Sequence, residues 1–296
     1  MNSNAPAEII PLISGSAVGP LNLVHLPRLW LKMRAHAAGR LPTGYRHGTG
    51  GTDEALLDAI GLDADAFAAY IAADAPDYQA CEAWVRAHAR DTSAHTIDAF
   101  NAQVRAFEMP DPRRTEWTAR FGLTAGTYTR AIALNQLDDW AAVHEQIRAP
   151  GAPVTALVPA ISSSVSGPLG VQHLPRLWLK HRLHGAGRLP AGYHNGAGFF
   201  DRTTLEMIGV DREAFASYVV HERPDYLTAE GWVRANATSL TADAIAALNA
   251  RLNATKMPPA MLVDRHAELG ITDPSFDMGI MLNDLDDWAE LHRSLS

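Results

Sequence analysis

Cysteine is almost missing from this chain: Cys81 is the only one in 296 residues. A lone thiol forms no intrachain disulfide, so a hydrophobic core has to hold the fold, and a reducing, cytoplasmic setting is expected. Runs of basic residues are missing too. The chain carries 25 Lys and Arg against 33 Asp and Glu, a formal charge of −8, with no Lys/Arg block. That composition argues against nucleic acid or an anionic membrane as a partner. No apolar stretch is long enough to span a bilayer, and the opening residues MNSNAPAEIIPLISG lack the basic-then-apolar order of a secretory leader.

Motifs that carry chemistry are equally scarce. No His-x-x-x-His occurs, and Asp139 and His144 fall on different helix faces, so no metal site is expected. The glycines of GTGG at 48–51 come without a Walker lysine or a preceding strand, and no nucleophile elbow is present. No cofactor is expected. What the chain has is apolar content, 47% against 20% charged residues, enough for two domains that each bury a core.

The dominant feature is a duplication. HLPRLWLKMRAHAAGRLPTGY from His25 returns as HLPRLWLKHRLHGAGRLPAGY from His173, a shift of 173 − 25 = 148 positions. The same shift aligns Gly19-Pro20-Leu21 with Gly167-Pro168-Leu169, Trp84-Val85-Arg86 with Trp232-Val233-Arg234, and Met109-Pro110 with Met257-Pro258. It also aligns LNQLDDWA, from Leu134, with LNDLDDWA, from Leu282. Roughly 45% of paired positions are identical, and the period is too long for a solenoid repeat. The reading is two tandem homologous domains, 1–150 and 151–296, joined by the Pro/Gly-bearing segment Arg148–Pro159. A pseudo-two-fold axis between them is the expected arrangement.

Each copy reads as helical. Leu26, Leu29, Trp30, Met33 and Ala37 recur at helical spacing. Asp53 and Glu54 open a helix that Gly61 closes, and Asp63 caps the next one. Further helices are expected around Glu82–Ala89, Ser93–Phe107 and Ala131–Ile147. Period-two alternation is absent, so the fold class is all-α.

The string LPRLWLKMRAHAAGRL, with DEALLDAIGLDADAFAAYI, EAWVRAHA and RRTEWTARFGLTAGTYTRAIALNQLDDWA, resembles the bacterial DUF5069 family. Both halves resemble it, with the Leu-Pro-Arg-x-x-x-Lys core at Leu26–Lys32 and Leu174–Lys180. His25 and His173 stand where that family usually has an aromatic residue. The resemblance implies a fold and no particular chemistry.

On a helix, Arg28, Lys32 and His36 share one face, as do Arg176, Lys180 and His184. A basic cluster in an acidic protein suits a carboxylate or phenolate, or else is simply a solvated face. His25 and His173, placed just outside the helix by Pro27 and Pro175, are the acid–base candidates. Tyr45 and Tyr193, in loops after GRLP, are the second catalytic pair. Trp30 and Trp178 read as core anchors and, lying on the same helix, are kept with His47 and Asn195 among candidate substrate-binding residues. Of Asp138-Asp139 and Asp286-Asp287, one member is expected to turn inward to a cation and the other to water. Cys81 aligns with Ala229, so a cysteine nucleophile would serve one side only.

The expected function is a cofactor-independent enzyme acting on a small polar or aromatic molecule, first a lyase of elimination or retro-aldol type. The alternatives are a hydrolase or dehalogenase on a small carboxylate, a non-catalytic small-ligand binder, or a scaffold. The copies differ at His47/Asn195, Glu54/Arg202, Val24/Gln172, Met33/His181 and His88/Asn236. If both copies wall a single chamber, those mismatches make it asymmetric. A homodimer of the fused pair is a further option.

Overall fold

In a computed structural model, which describes residues 7–124, 126–150 and 155–296, the first copy forms seven helices. These are α1 (Leu26–Ala37), α2 (Gly51–Ile60), α3 (Ala64–Asp74), α4 (Tyr78–His88), α5 (Ala94–Ala106), α6 (Arg113–Arg120) and α7 (Ala131–Arg148). The second copy repeats the order: α8 (Leu174–Gly185), α9 (Phe199–Met207), α10 (Arg212–Glu222), α11 (Tyr226–Asn236), α12 (Ala242–Asn253), α13 (Pro259–Leu269) and α14 (Gly279–Leu295). Among the described residues there is no strand, only isolated bridges such as Glu108 with Arg130. The fold is all-α. No described helix is long and apolar enough to cross a membrane. Residues 1–6 of the opening segment and 151–154 of the linker lie outside the described residues.

Local chemistry explains the boundaries. Asp63, Asp77 and Ser93 cap α3, α4 and α5 by accepting the amides of Ala66, Ala80 and Thr96, each cap contributing about 1 kcal/mol. Gly61 ends α2 in the left-handed conformation, φ 61°, where a side chain would be strained. The helix expected to begin at Glu82 starts at Tyr78, because Asp77 supplies the cap one residue earlier. Helix α6 was not foreseen: its sequence RRTEWTAR buries only Thr118, so no apolar stripe announces it.

The chain divides into two compact units whose limits differ from those of the sequence copies. Unit 1 comprises 1–139 and 288–296; unit 2 comprises 140–287. Each unit therefore takes in the end of the long last helix of the other copy. Within unit 1, Trp288 meets Tyr78 edge-on at 4.5 Å; within unit 2, Trp140 meets Tyr226 at 4.6 Å. In unit 1, α1 packs on α3 and α4 while α2 packs on α5; in unit 2, α8 packs on α10 and α11 while α9 packs on α12. The repeated Gly-Pro-Leu has a steric cause. A Cβ on Gly19 would sit 2.3 Å from the Tyr78 hydroxyl, and Gly167 is crowded in the same way by Tyr226.

Helix α1 is the axis of unit 1. Ten of its twelve residues are buried, Arg28, Lys32 and Arg34 among them. A helix covered on nearly all sides has no solvated basic face, so its cations need partners inside the protein.

Candidate functional site

Two carboxylates answer that need for Arg28 and Lys32 in unit 1. Asp139, on α7, receives Arg28 Nη1 at 2.7 Å and Nη2 at 3.3 Å, a two-pronged pair. Tyr45 donates its hydroxyl to the same carboxylate at 2.9 Å. Arg28 also donates to the carbonyls of Pro11 and Ile13. The neighbouring Asp138 turns outward to Arg120 at 2.6 Å, so the inward–outward split expected of the acidic pair is observed.

Asp53, in the first turn of α2, is the second carboxylate and the hub of the site. It accepts from Lys32 at 2.5 and 2.7 Å, from His25 Nε2 at 2.7 Å and from the Gly48 amide at 3.0 Å. Burial would raise its pKa, but the hydrogen bond from His25 and the charge of Lys32 outweigh that and hold it well below the usual carboxylate range. Asp53 is thus an acceptor only, which fixes the tautomer of His25: Nε2 carries the hydrogen and Nδ1 carries the lone pair. Burial lowers the His25 pKa from 6.5 to about 4, against the pull of Asp53 and with the help of Lys32. The imidazole is neutral at pH 7. It sits at the N-cap of α1 with φ 71°, a left-handed conformation that is uncommon for histidine and is held by its surroundings.

Nδ1 of His25 is buried and has no hydrogen-bond partner among the described residues. The ring lines a pocket of about 250 Å³, shared with Gly15, Val104, Phe107, Ile132 and Gln136. An adjoining pocket of about 470 Å³ shares His25, Arg28 and Asp139 and is further lined by Arg46, Arg113 and Trp117. Arg113 lies over the Trp117 ring at 4.6 Å. Both Arg46 and Arg113 are exposed, and among the described residues neither pairs with a carboxylate.

Unit 2 repeats the ion pairs. Arg176 and Tyr193 bind Asp287. Asp201 accepts from Lys180, from His173 Nε2 at 2.7 Å and from the Gly196 amide. His173 is also left-handed, φ 67°. Around its other nitrogen the units diverge. Ser163 stands in place of Gly15, and its hydroxyl lies 2.9 Å from His173 Nδ1. Phe200 replaces Thr52 and leans on the imidazole at 5.7 Å. Met261 replaces Arg113, and Arg265 replaces Trp117 and pairs with Asp286 at 2.7 Å. A pocket of about 580 Å³ in unit 2 is lined by His173, Tyr193, Phe199, Phe200, Met257 and Met261.

Several expected roles change. Arg28, Lys32, Arg176 and Lys180 do reach a site, but as neutralised partners of carboxylates rather than as free anion clamps. His36 is exposed and stacks on His47 at 3.6 Å, away from the cluster that its helical spacing suggested. His47 lines neither pocket of unit 1. Asn195 lies beside His181 rather than in the unit 2 pocket. Trp30 and Trp178 are core: fully buried, each donates its indole N–H to a carbonyl, of Pro76 and Pro224, at 3.0 Å. Tyr45 and Tyr193 line the pockets, yet burial and the adjacent carboxylates push both phenols well above their ordinary pKa, so they hold carboxylates rather than exchange protons. Each of these three pockets draws its lining from a single unit.

Sequence reasoning missed Asp53, read there only as a helix-start acid, and Asp201 with it. A signal existed: this aspartate is kept in both copies while its flanks change, Thr52 to Phe200 and Glu54 to Arg202. Among the described residues no group of three or more His, Cys, Asp or Glu is placed to hold a metal ion.

No curated protein and no solved structure matches this chain. The family model described as "Domain of unknown function (DUF5069)" matches residues 19–141 and again 161–267. The chain therefore belongs to the DUF5069 family and carries its domain in tandem.

Proposed function

We propose that the chain is a cofactor-independent enzyme that removes a proton from a small polar or aromatic molecule in unit 1, in lyase chemistry of elimination or retro-aldol type. The observation that carries this reading is the His25 imidazole: neutral, with Nε2–H fixed by Asp53, and with its lone pair on the side of Gly15, a residue of the pocket wall. A histidine held by a carboxylate in one tautomer is prepared to accept a proton on its other nitrogen. Retro-aldol cleavage starts with loss of a hydroxyl proton, which suits a nitrogen that accepts a hydrogen bond. The negative charge that then develops needs a cation not already neutralised, and Arg46 and Arg113 meet that condition. The setting is taken to be cytoplasmic, in keeping with the single buried thiol.

A non-catalytic small-ligand binder is the second reading, favoured by the low basicity of His25. Hydrolase chemistry is less well supported. Ser163, His173 and Asp201 do form a hydrogen-bonded chain, but Ser163 is 1% exposed and does not line the unit 2 pocket.

The test is deuterium incorporation from D2O into a panel of small hydroxy- and keto-compounds, followed by NMR. Exchange or cleavage that disappears in His25→Asn is expected, with an acid limb near pH 4 rather than 6.5, because the folded imidazole titrates at about 4. Ligand binding without exchange in any compound selects the binder.

A further inference from the structure

Ser163 closes a position in unit 2 that Gly15 leaves open in unit 1. A Cβ on Gly15 would lie 3.2 Å from His25 Nδ1 and 3.6 Å from Ile132. Ser163 shows what fits there: a hydroxyl, 2.9 Å from the histidine nitrogen. Both histidines have Nε2–H committed to an aspartate, so in both the other nitrogen accepts. In unit 2 the chain itself supplies the donor. In unit 1 the acceptor has no partner among the described residues, in a residue only 6% exposed, an unfavourable condition that an incoming donor would relieve. Around it, Ala55, Val104, Phe107, Ala131 and Ile132 give the pocket an apolar wall. Its volume of about 250 Å³ exceeds the roughly 150 Å³ of an apolar cavity that accepts benzene. Toward the adjoining pocket stand Arg46 and Arg113, which pair with no carboxylate among the described residues.

We infer that unit 1 takes a hydroxylated monocarboxylate about one ring in size, one molecule per chain, and that Gly15 is the residue that admits it. The ligand hydroxyl takes the place of the missing serine and donates to His25 Nδ1. Its apolar body lies against Phe107 and Ile132, and its carboxylate meets Arg46 and Arg113. Nδ1 is covered in the empty site, so Ile132 shifts aside as the hydroxyl enters. In unit 2 the same place is filled by Ser163 and Phe200, and Arg46 and Arg113 are replaced by His194 and Met261. This assignment rests on the proposed role of His25 and sharpens it to a ligand class.

The probes are ortho-, meta- and para-hydroxybenzoate, with benzoate lacking the hydroxyl and p-cresol lacking the charge. Binding is read by calorimetry and by the ¹⁵N shift of His25 Nδ1 in two-bond NMR spectra. At least one hydroxybenzoate is expected to bind with one site per chain and at least tenfold more tightly than either benzoate or p-cresol, moving the Nδ1 resonance. Gly15→Ser should remove the advantage over benzoate, Arg113→Met the advantage over p-cresol, and Ser163→Gly should leave the unit 1 site unchanged. His25→Asn, whose side chain tolerates the left-handed backbone, gives a second check should Gly15→Ser fold poorly. Two equal sites per chain, or no hydroxyl-dependent binding, would overturn the assignment. So would an unmoved Nδ1 shift, the sign that a buried water already satisfies the nitrogen. Binding as described, with no deuterium exchange in any compound, would refute the proposed enzyme and leave the assignment standing.

Discussion

Units 1 and 2 hold the same buried ions and differ in what touches the far side of one histidine. In both, an arginine and a tyrosine grip the aspartate of the last helix, and a lysine and a histidine grip the aspartate that starts the second helix. Identical ion pairs in both units teach that these pairs serve the architecture first. The differences lie at Gly15/Ser163, Thr52/Phe200 and Arg113/Met261; beside the histidine, unit 2 supplies a serine hydroxyl to Nδ1 where unit 1 has a glycine.

That comparison is broken most forcefully at the histidines. His25→Asn is expected to lower turnover 10²–10⁴-fold, the usual contribution of a proton-transferring group, while His173→Asn leaves it within a few-fold. Comparable losses, measured as kcat/KM, would mean that both units react. The next effect is symmetric. Asp53→Ala and Asp201→Ala each strand a buried lysine and should each cost about 3–5 kcal/mol, read as earlier urea unfolding. A marked inequality between the two would show that one network is dispensable.

A smaller effect separates the units by pH. Asp284 occupies in unit 2 the position of Gln136, bonded to Ser162, and burial raises its pKa from 3.8 to about 7. Between those values the folded chain holds a proton that the unfolded chain has lost, so stability falls as pH rises through that window. Asp284→Asn should therefore stabilise the protein by roughly 1–4 kcal/mol at pH 8 and by much less at pH 4. Thermal unfolding at the two pH values checks this, and a gain independent of pH would contradict it. Smallest of all, Tyr45→Phe and Tyr193→Phe each remove one hydrogen bond to a buried aspartate, about 1–2 kcal/mol apiece, and chemical denaturation should show them matched.

How much of this was legible in the sequence follows from what each feature depends on. The duplication and the helices were readable because apolar spacing, caps and Gly61 act locally. That His25 lies just outside the helix was readable from Pro27, but its left-handed backbone was not. That one of Asp138 and Asp139 turns inward was readable from the angle between consecutive helical residues; which one was not. Partner choice was not: Arg28 and Asp139 are 111 positions apart, and only the folded chain shows the cation already neutralised. Helix spacing grouped His36 with Arg28 and Lys32, but α1 emerges from the core at its C-terminal end, so His36 reaches solvent while the others remain inside. Of the mismatches between copies that looked informative, His47/Asn195 lines none of the pockets that hold His25 or His173. The mismatch at residue 15 carried the information, hidden because a glycine among small residues draws no notice.

The exchange of helix ends between the compact units has a consequence for biosynthesis. Residues 288–296 belong to unit 1, so Tyr78 must wait for Trp288, an aromatic partner translated after all of unit 2. Unit 1 therefore cannot finish on the ribosome ahead of unit 2, although it is translated first. A chain terminated between the copies would leave its own Trp140 without the Tyr226 it packs on.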